Sequence, residues 1–245
     1  MPPDLALEVR YESAMQPWET IATARTPDGA ELVLARRGGE WVVRCGGRLL
    51  MSSRQHGSED ALAALALDRL APRRSRAWTV LVGGLGLGYT LRAALDRLGP
   101  GDRAVVAELS PELVEWNRGP VAPLAGRPLD DPRVRIQVGD VAARIAEARG
   151  AFDAILLDVD NGPSPAVGAG KDRLYGEQGV RACREALASG GVLAVWSAGP
   201  DEAYSARLAR AGFDAEVVPV PARGAGGPGA RHVLFLARKP VRRGG

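Results

Sequence analysis

The chain has few of the residues that most often build metal centres and disulfide frameworks. Its 245 residues include two cysteines and two histidines. Cys45 and Cys183 are far apart and have neither C-x-x-C nor Cys/His spacing, so we expect buried free thiols. His56 and His232 have no carboxylates or thiolates spaced to complete a zinc site, and we therefore expect no metal ion.

Long apolar runs are also absent. None approaches the roughly 18 residues needed to span a bilayer, and the N-terminal stretch MPPDLALEVRYES carries acidic residues without the apolar centre of a signal peptide. The composition, 46% hydrophobic and 25% charged, is typical of a globular protein with a sizeable core. We expect a cytoplasmic enzyme with no membrane partner.

Positive charge is in slight excess, at +3 net. Much of the excess lies in short clusters that lack interleaved aromatic residues: Arg73–Arg74, Arg238–Lys239 and Arg242–Arg243. Clusters of this kind bind nucleic acid when they form a larger basic face. We do not expect nucleic acid to be a partner here.

The first part of the sequence predicts a small antiparallel β domain over residues 1–56. Four short strand-like runs are separated by Pro/Asp/Gly and Gly-Gly turn signals, and they span residues 18–25, 30–36, 40–44 and 48–52. A helix follows, for which we predict Ser58 as the N-cap, with Glu59 and Asp60 in the first turn. Residues 57–245 are predicted to form the second domain.

From Ala77 onward, strand and helix patterns alternate. Strands made largely of Val, Ile, Leu and Ala predict a parallel sheet covered by helices on both faces. The last two strands, joined by a Gly-rich loop, predict an antiparallel edge pair. The seven predicted strands cover residues 78–82, 103–107, 134–138, 152–157, 191–196, 213–218 and 232–237.

A glycine-rich turn follows the first strand of this sheet. Gly84, Gly86 and Gly88 are spaced G-x-G-x-G, and glycine allows the backbone to turn tightly and approach a ligand. The dinucleotide fingerprint is G-x-G-x-x-G. The observed spacing therefore favours an S-adenosyl ligand over a dinucleotide.

Acidic residues follow the next three strands. Glu108 lies 20 residues after Gly88 and is suited to accept both ribose hydroxyls, Asp140 is suited to accept from the adenine amino group, and Asp158 ends the fourth strand. Ligands of open α/β sheets bind outside the carboxyl ends of strands. A structural alternative stays open for each of the first two, since Glu108 precedes a helix and Asp140 is suited to cap one.

Three segments, LLMSSRQHGSEDALAALAL, DAILLDVDNGP and LYGEQGVRACREALASGGVLAVWSAGP, together with the N-terminal hairpins, resemble the spermidine synthase (polyamine aminopropyltransferase) family. The likeness covers roughly residues 28–238. It implies an α/β Rossmann-like class I methyltransferase fold, a seven-stranded mostly parallel sheet with a small N-terminal antiparallel β domain. It also implies S-adenosylmethionine or its decarboxylated form as co-substrate, a small amine as acceptor, Asp158 as the catalytic base, and a homodimer.

The residues expected to bind the amine acceptor depart from the pattern of that family. Its D-x-x-D-P motif has Asn161 in place of the second Asp and Gly162 in place of Pro, with Asp160 as an extra carboxylate. Its glycine loop usually contains an Asp that is missing here, and the Tyr-His pair before Glu59 is replaced by glycine and serine. We expect the acceptor to contact Glu59, Asp160, Asn161 and Tyr175.

Several assignments stay open at this stage. The Gly/Pro-rich loop 160–173, which includes Asp172, forms either a lid over the site or a surface connection. Tyr175 and Trp196 either line the acceptor site or pack in the core. For the function, aminopropyl transfer competes with methyl transfer from intact S-adenosylmethionine, with non-catalytic nucleoside binding, and with NAD-dependent oxidation.

Overall fold

The computed structural model describes residues 16–26, 29–70, 77–159, 162–163, 171–223 and 230–241. The chain divides into two compact units, residues 1–55 and 56–245. The predicted domain boundary at residues 56–57 stays a prediction. Within the described ranges, no helix has both the length and the apolarity that a membrane crossing requires.

The N-terminal unit is a four-stranded antiparallel sheet whose strands are neighbours in chain order. A two-residue turn joins the last two strands, and both of its residues, Gly46 and Gly47, have positive φ (54° and 78°). Such a turn matches the twist of a hairpin, and glycine adopts it without steric cost. The strands are β1 (Glu19–Arg25), β2 (Glu31–Arg37), β3 (Glu40–Cys45) and β4 (Arg48–Ser52).

The second unit contains a seven-stranded sheet of order β10-β11-β9-β8-β5-β6-β7. Strands β5 to β9 run parallel, whereas β11 pairs antiparallel with both β9 and β10. The strands are β5 (Thr79–Gly83), β6 (Arg103–Glu108), β7 (Val134–Val138), β8 (Phe152–Leu157), β9 (Leu187–Ser197), β10 (Asp214–Pro221) and β11 (Arg231–Arg238). The prolines of β10 are tolerated because this strand lies at the sheet edge.

Helices cover both faces of the sheet. Strand β8 is buried throughout, with Leu156 packing in one apolar core beside Leu62 and Ile155 packing in the other beside Val180. The described helices are α1 (Gly57–Asp68), α2 (Tyr89–Leu95), α3 (Pro111–Arg118), α4 (Val141–Glu147), α5 (Lys171–Tyr175), α6 (Glu177–Ala186) and α7 (Glu202–Arg210). Two short 3-10 helices follow α3, at Ala122–Ala125 and Pro128–Asp130. The predicted fold class is thereby confirmed.

Three local predictions were wrong. Ser58 does not cap α1: the helix begins at Gly57, His56 occupies the cap position without a side-chain bond, and Ser58 is buried with its hydroxyl bonded elsewhere. The strand predicted over residues 191–196 begins earlier, at Leu187, directly after α6 ends at Ala186. Cys183 is buried as expected, whereas Cys45 is only partly buried, and both are free thiols.

Candidate active site

The glycine loop between β5 and α2 has a backbone shape that few other residues adopt. Gly84, Gly86 and Gly88 have φ values of 86°, 54° and 88°. A side chain at any of them would be strained. Gly84 and Gly86 are partly exposed, so the loop presents backbone without side chains at these two points, at the carboxyl end of β5.

Gly84 lies in direct contact with the neighbouring strand ends. A Cβ at this position would lie 2.3 Å from the carbonyl oxygen of Asp158. The Gly84 amide donates to Ala107 O (2.9 Å) and the Asp158 amide donates to Gly83 O (2.9 Å). The loop is therefore fixed to the ends of β6 and β8, and it brings the predicted nucleoside and catalytic groups to one edge of the sheet.

Asn117 supports the loop from α3, a role that the sequence reasoning missed. Its Nδ2 donates to Gly86 O (2.8 Å) and to Leu113 O (2.9 Å), and its side chain is almost fully buried. The available signal was a polar residue four positions after Leu113, on the apolar face of a helix. Asn117 is a positioning residue for the backbone of Gly86.

Glu108 ends β6 with its carboxylate held by two backbone amides. Oε2 accepts from Leu85 N and Oε1 accepts from Ser110 N, both at 2.8 Å. Burial raises the pKa of Glu108, and these backbone hydrogen bonds oppose the rise. Each carboxylate oxygen has a second lone pair, so the group retains acceptors for two hydroxyls. Leu109, the next residue, leaves 56% of its surface exposed and offers an apolar surface beside it.

Asp140 has the structural role that the sequence left open. Its Oδ1 accepts from Ala142 N (2.8 Å) and caps α4, while its Oδ2 lies 3.4 Å from Nη1 of Arg173. The side chain is 41% exposed, so the carboxylate faces solvent near the carboxyl end of β7. Its contact with an adenine amino group stays a prediction.

Asp158 and Glu59 form a pair of interacting carboxylates. Thr90 Oγ1 donates to Asp158 Oδ2 (2.7 Å), and burial raises the pKa of Asp158 to about 6 against this hydrogen bond. Burial and then the charge of Asp158 raise the pKa of Glu59 to about 8, opposed by a hydrogen bond from Ser58. Two such groups titrate as a pair, and near neutral pH the pair still carries negative charge.

Two groups of aromatic side chains lie around Glu59. His56 stacks on Tyr89 with ring centroids 4.0 Å apart, and His56 Nδ1 lies 2.8 Å from Asp60 Oδ2. Burial, then the charges of Asp60 and Glu59, raise the pKa of Tyr89 to about 12. Trp196, at the end of β9, donates from Nε1 to Ser58 Oγ (3.0 Å), so it contacts the helix start that carries Glu59.

Tyr175 packs in the core with 2% of its surface exposed. Its hydroxyl donates to Val159 O (3.2 Å), and this bond secures the segment directly after Asp158. Its predicted contact with the acceptor stays a prediction. Gly162 has a φ of 75°, which proline cannot adopt, and its backbone lies against Trp196 O.

Two predicted acceptor residues, Asp160 and Asn161, lie outside the described residues, as does most of the loop 160–173 and the side chain of Asp172. Among the residues that the structure does describe, no three His, Cys, Asp or Glu side chains converge in a way that would hold a metal ion.

The strand order and the glycine loop define the class I methyltransferase-like fold, which the chain shares with solved spermidine synthases. The spermidine synthase from Thermotoga maritima superposes with a TM-score of 0.71 at 20% identity, over 91% of this chain and 73% of that one. A probable spermidine synthase from Corynebacterium glutamicum gives a TM-score of 0.64 at 17% identity, over 89% and 79%. At these identities the likeness establishes the fold.

In sequence, the chain is similar to polyamine aminopropyltransferases, and the resemblance to that family is confirmed. It is 33% identical over 94 residues to the Nitrosomonas europaea protein (38% of this chain, 27% of that one) and 28% identical over 174 residues to the Mycobacterium tuberculosis protein (69% and 31%). A Thermoanaerobacter relative is 31% identical over 122 residues (50% and 42%). The chain thus spans between about a quarter and two fifths of these relatives' lengths. No family model matches it.

Proposed function

We propose that the protein is a transferase that moves an aminopropyl group from decarboxylated S-adenosylmethionine to a small amine. The observation that carries this proposal is the Asp158–Glu59 carboxylate pair beside the glycine loop, at the carboxyl end of the parallel strands. The similarity to polyamine aminopropyltransferases supports it.

The chemistry needs a base and a negative environment. An aliphatic amine is an ammonium ion at neutral pH and attacks carbon only after losing a proton. Asp158, with its pKa raised to about 6, is a stronger base than an exposed aspartate and is still largely ionised at pH 7. Its remaining negative charge also attracts the ammonium of the acceptor. Because a sulfonium is a good leaving group, the rest of catalysis is orientation.

Four groups would hold the nucleoside part of the donor. Glu108, fixed by Leu85 N and Ser110 N, accepts hydrogen bonds from the two ribose hydroxyls. The glycines of the loop let the donor approach the backbone near Asp158. Asp140, whose carboxylate is partly exposed, accepts from the adenine amino group. Leu109 supplies an apolar surface next to Glu108.

A second candidate is methyl transfer from intact S-adenosylmethionine. The specific observation in its favour is the glycine loop, whose positions 83 to 88 contain only glycine and leucine. With no acidic side chain in the loop, nothing there repels the carboxylate of the intact co-substrate. The two candidates therefore differ in which donor the site prefers.

Titration calorimetry of the two donors separates the candidates. The decarboxylated donor is expected to bind at least about 10-fold more tightly, about 1.4 kcal/mol, because it brings no carboxylate near Asp158 and Glu59. As a control, Glu108→Gln should weaken both donors alike, since both carry the same ribose. Equal or tighter binding of the intact form would favour methyl transfer, and binding of neither would refute the nucleoside site.

A further inference from the structure

The hydroxyl of Ser58 is the centre of a buried hydrogen-bond cluster that joins α1 to β9 and β11. Ser58 is fully buried, and its Oγ lies 2.7 Å from Glu59 Oε2, 3.0 Å from Trp196 Nε1 and 2.9 Å from His232 Nδ1. Glu59 and His232 thus share one intermediate oxygen, although 173 positions separate them in the sequence.

The cluster around Ser58 Oγ allows two arrangements of hydrogen-bond donors and acceptors. Indole Nε1–H only donates, so Trp196 uses one lone pair of Ser58 Oγ. Ser58 has one proton to donate. If it donates to an ionised Glu59, then His232 Nδ1 must carry a proton and donate to Ser58. If Ser58 donates to His232 Nδ1 instead, Glu59 must be protonated and donate to Ser58. The protonation of Glu59 and the tautomer of His232 are therefore linked.

We propose that Ser58 relays a proton between Glu59 and His232, so that His232 is the exit for protons released at the carboxylate pair. The purpose of this relay rests on the proposed function, because each turnover must remove one proton from the acceptor ammonium. The relay itself is a property of the free protein.

The transfer balances without any other reactant. The acceptor ammonium loses a proton to Asp158, so that the Asp158–Glu59 pair holds one proton more than before. Protonated Glu59 then gives its proton to Ser58 Oγ as the Ser58 hydroxyl proton moves to His232 Nδ1. The products are ionised Glu59, an intact serine and an imidazolium, and the imidazolium releases the proton on Nε2 to solvent. The Nδ1–H imidazole that remains regains its Nε2–H form by rotation of the ring and proton exchange with solvent, which prepares the relay for the next turnover. No bond between heavy atoms forms or breaks.

The transfer from Glu59 to His232 is uphill, because the pKa of Glu59 is raised and that of His232 is lowered, and release of the proton from His232 to solvent completes it. Glu59 faces Asp158 and Asp60, and both charges raise its pKa, while Asp60 is itself paired with His56. Tyr89 stacks on His56 from α2. His232 is partly exposed and packs edge to face on Trp196, with centroids 4.6 Å apart. Burial lowers the pKa of His232, so its imidazolium is a transient species that gives up its proton readily.

Nitrogen-15 NMR of the two imidazoles tests the relay in the protein without donor or acceptor. His232→Gln identifies the His232 signals, since only His56 remains. As pH rises through the titration of Glu59, the His232 proton is expected to move from Nε2 to Nδ1. Glu59→Gln should abolish this change, and Ser58→Ala should make the tautomer of His232 independent of the protonation of Glu59. Glu202→Gln, an exposed carboxylate on α7, should leave it unaltered.

Each outcome of that titration decides the proposal. A tautomer that stays constant with pH in the wild type, or a change that persists in Glu59→Gln, would overturn the relay. If Ser58→Ala fails to fold, the Glu59→Gln comparison carries the test alone. Because no turnover is needed, a protein that lacks aminopropyl transfer but shows the coupled tautomer change would refute the proposed function and leave the relay standing.

A kinetic measurement then tests whether turnover uses the relay. His232→Gln is expected to lower kcat roughly 10-fold in dilute buffer, a loss below the usual effect of removing a general base itself. Raising the concentration of buffer base should restore the rate of His232→Gln but not alter that of the wild type. A purely structural effect of the substitution would not respond to buffer, and that result would contradict the use of His232 as the exit.

Discussion

Asp158→Asn is expected to lower kcat with an amine acceptor by about 100- to 1000-fold while leaving donor affinity close to that of the wild type. The asparagine retains the shape of the side chain and an oxygen that accepts from Thr90 Oγ1, which lies 2.7 Å from Asp158 Oδ2. It loses the basic group. Since a base is needed only after binding, the loss should fall on kcat and not on the donor dissociation constant.

A matched control for this variant is Asp214→Asn, which removes an exposed carboxylate at the start of the edge strand β10. It should leave kcat and donor affinity unchanged. Steady-state kinetics and calorimetry on the three proteins give the comparison. Unchanged turnover in Asp158→Asn would show that another group is the base. A parallel loss of donor affinity would show that Asp158 holds the nucleoside instead.

Gly84→Ala is expected to destabilise the protein by about 2–5 kcal/mol and to remove measurable donor binding. The methyl group would lie 2.3 Å from the carbonyl oxygen of Asp158, and the residue would have to keep a φ of 86°. The backbone strain costs about 1–3 kcal/mol, and the overlap adds a cost of similar size. Because the opposing atom belongs to the backbone, a side-chain rotation cannot relieve the clash.

Gly101→Ala provides the control for Gly84→Ala. Gly101 precedes β6, at the amino end of the parallel strands, and has no positive φ. A Cβ at this position would lie 4.0 Å from the nearest side-chain atom. Its effect should stay within about 0.5 kcal/mol. Urea unfolding and calorimetry measure both variants. A Gly84→Ala protein as stable as Gly101→Ala, with donor binding intact, would contradict the packing of the loop against β8.

The architecture could be predicted because its signals are local. Unbroken apolar runs such as residues 152–157 indicate buried parallel strands, and glycine pairs mark hairpin turns. The strand ends could also be predicted, since the carboxyl ends of parallel strands share an edge, which is where Glu108 and Asp158 were expected to lie. Gly84 also follows a parallel strand, and it packs on the carbonyl oxygen of Asp158 at the same edge.

The details that the sequence could not reveal depend on partners distant in the chain. Ser58 has the pattern of a helix cap, and its bonds to Trp196 and His232 arise only when β9 and β11 fold beside α1. Asn117 holds Gly86 O across 31 positions. Local propensity carries no information about such contacts, so a buried polar residue on an apolar face is the nearest available signal.

The acceptor side was also the weaker half of the sequence prediction, and for a physical reason. The nucleoside groups lie on backbone segments that the sheet fixes, whereas the acceptor groups were assigned to the loop after β8. Asp160 and Asn161 of that loop lie outside the described residues, and Tyr175 packs in the core. Glu59, which comes from α1, is the predicted acceptor residue whose pKa is raised by burial and by the charge of Asp158.

Identification of the nucleoside product tests the central claim most directly. The full chain is incubated with decarboxylated or intact S-adenosylmethionine and a panel of small amines, and the products are separated by mass spectrometry. The account predicts 5′-methylthioadenosine together with an amine that is heavier by one aminopropyl group, and predicts that Asp158→Asn forms neither at a comparable rate. S-adenosylhomocysteine as the sole nucleoside product would contradict it.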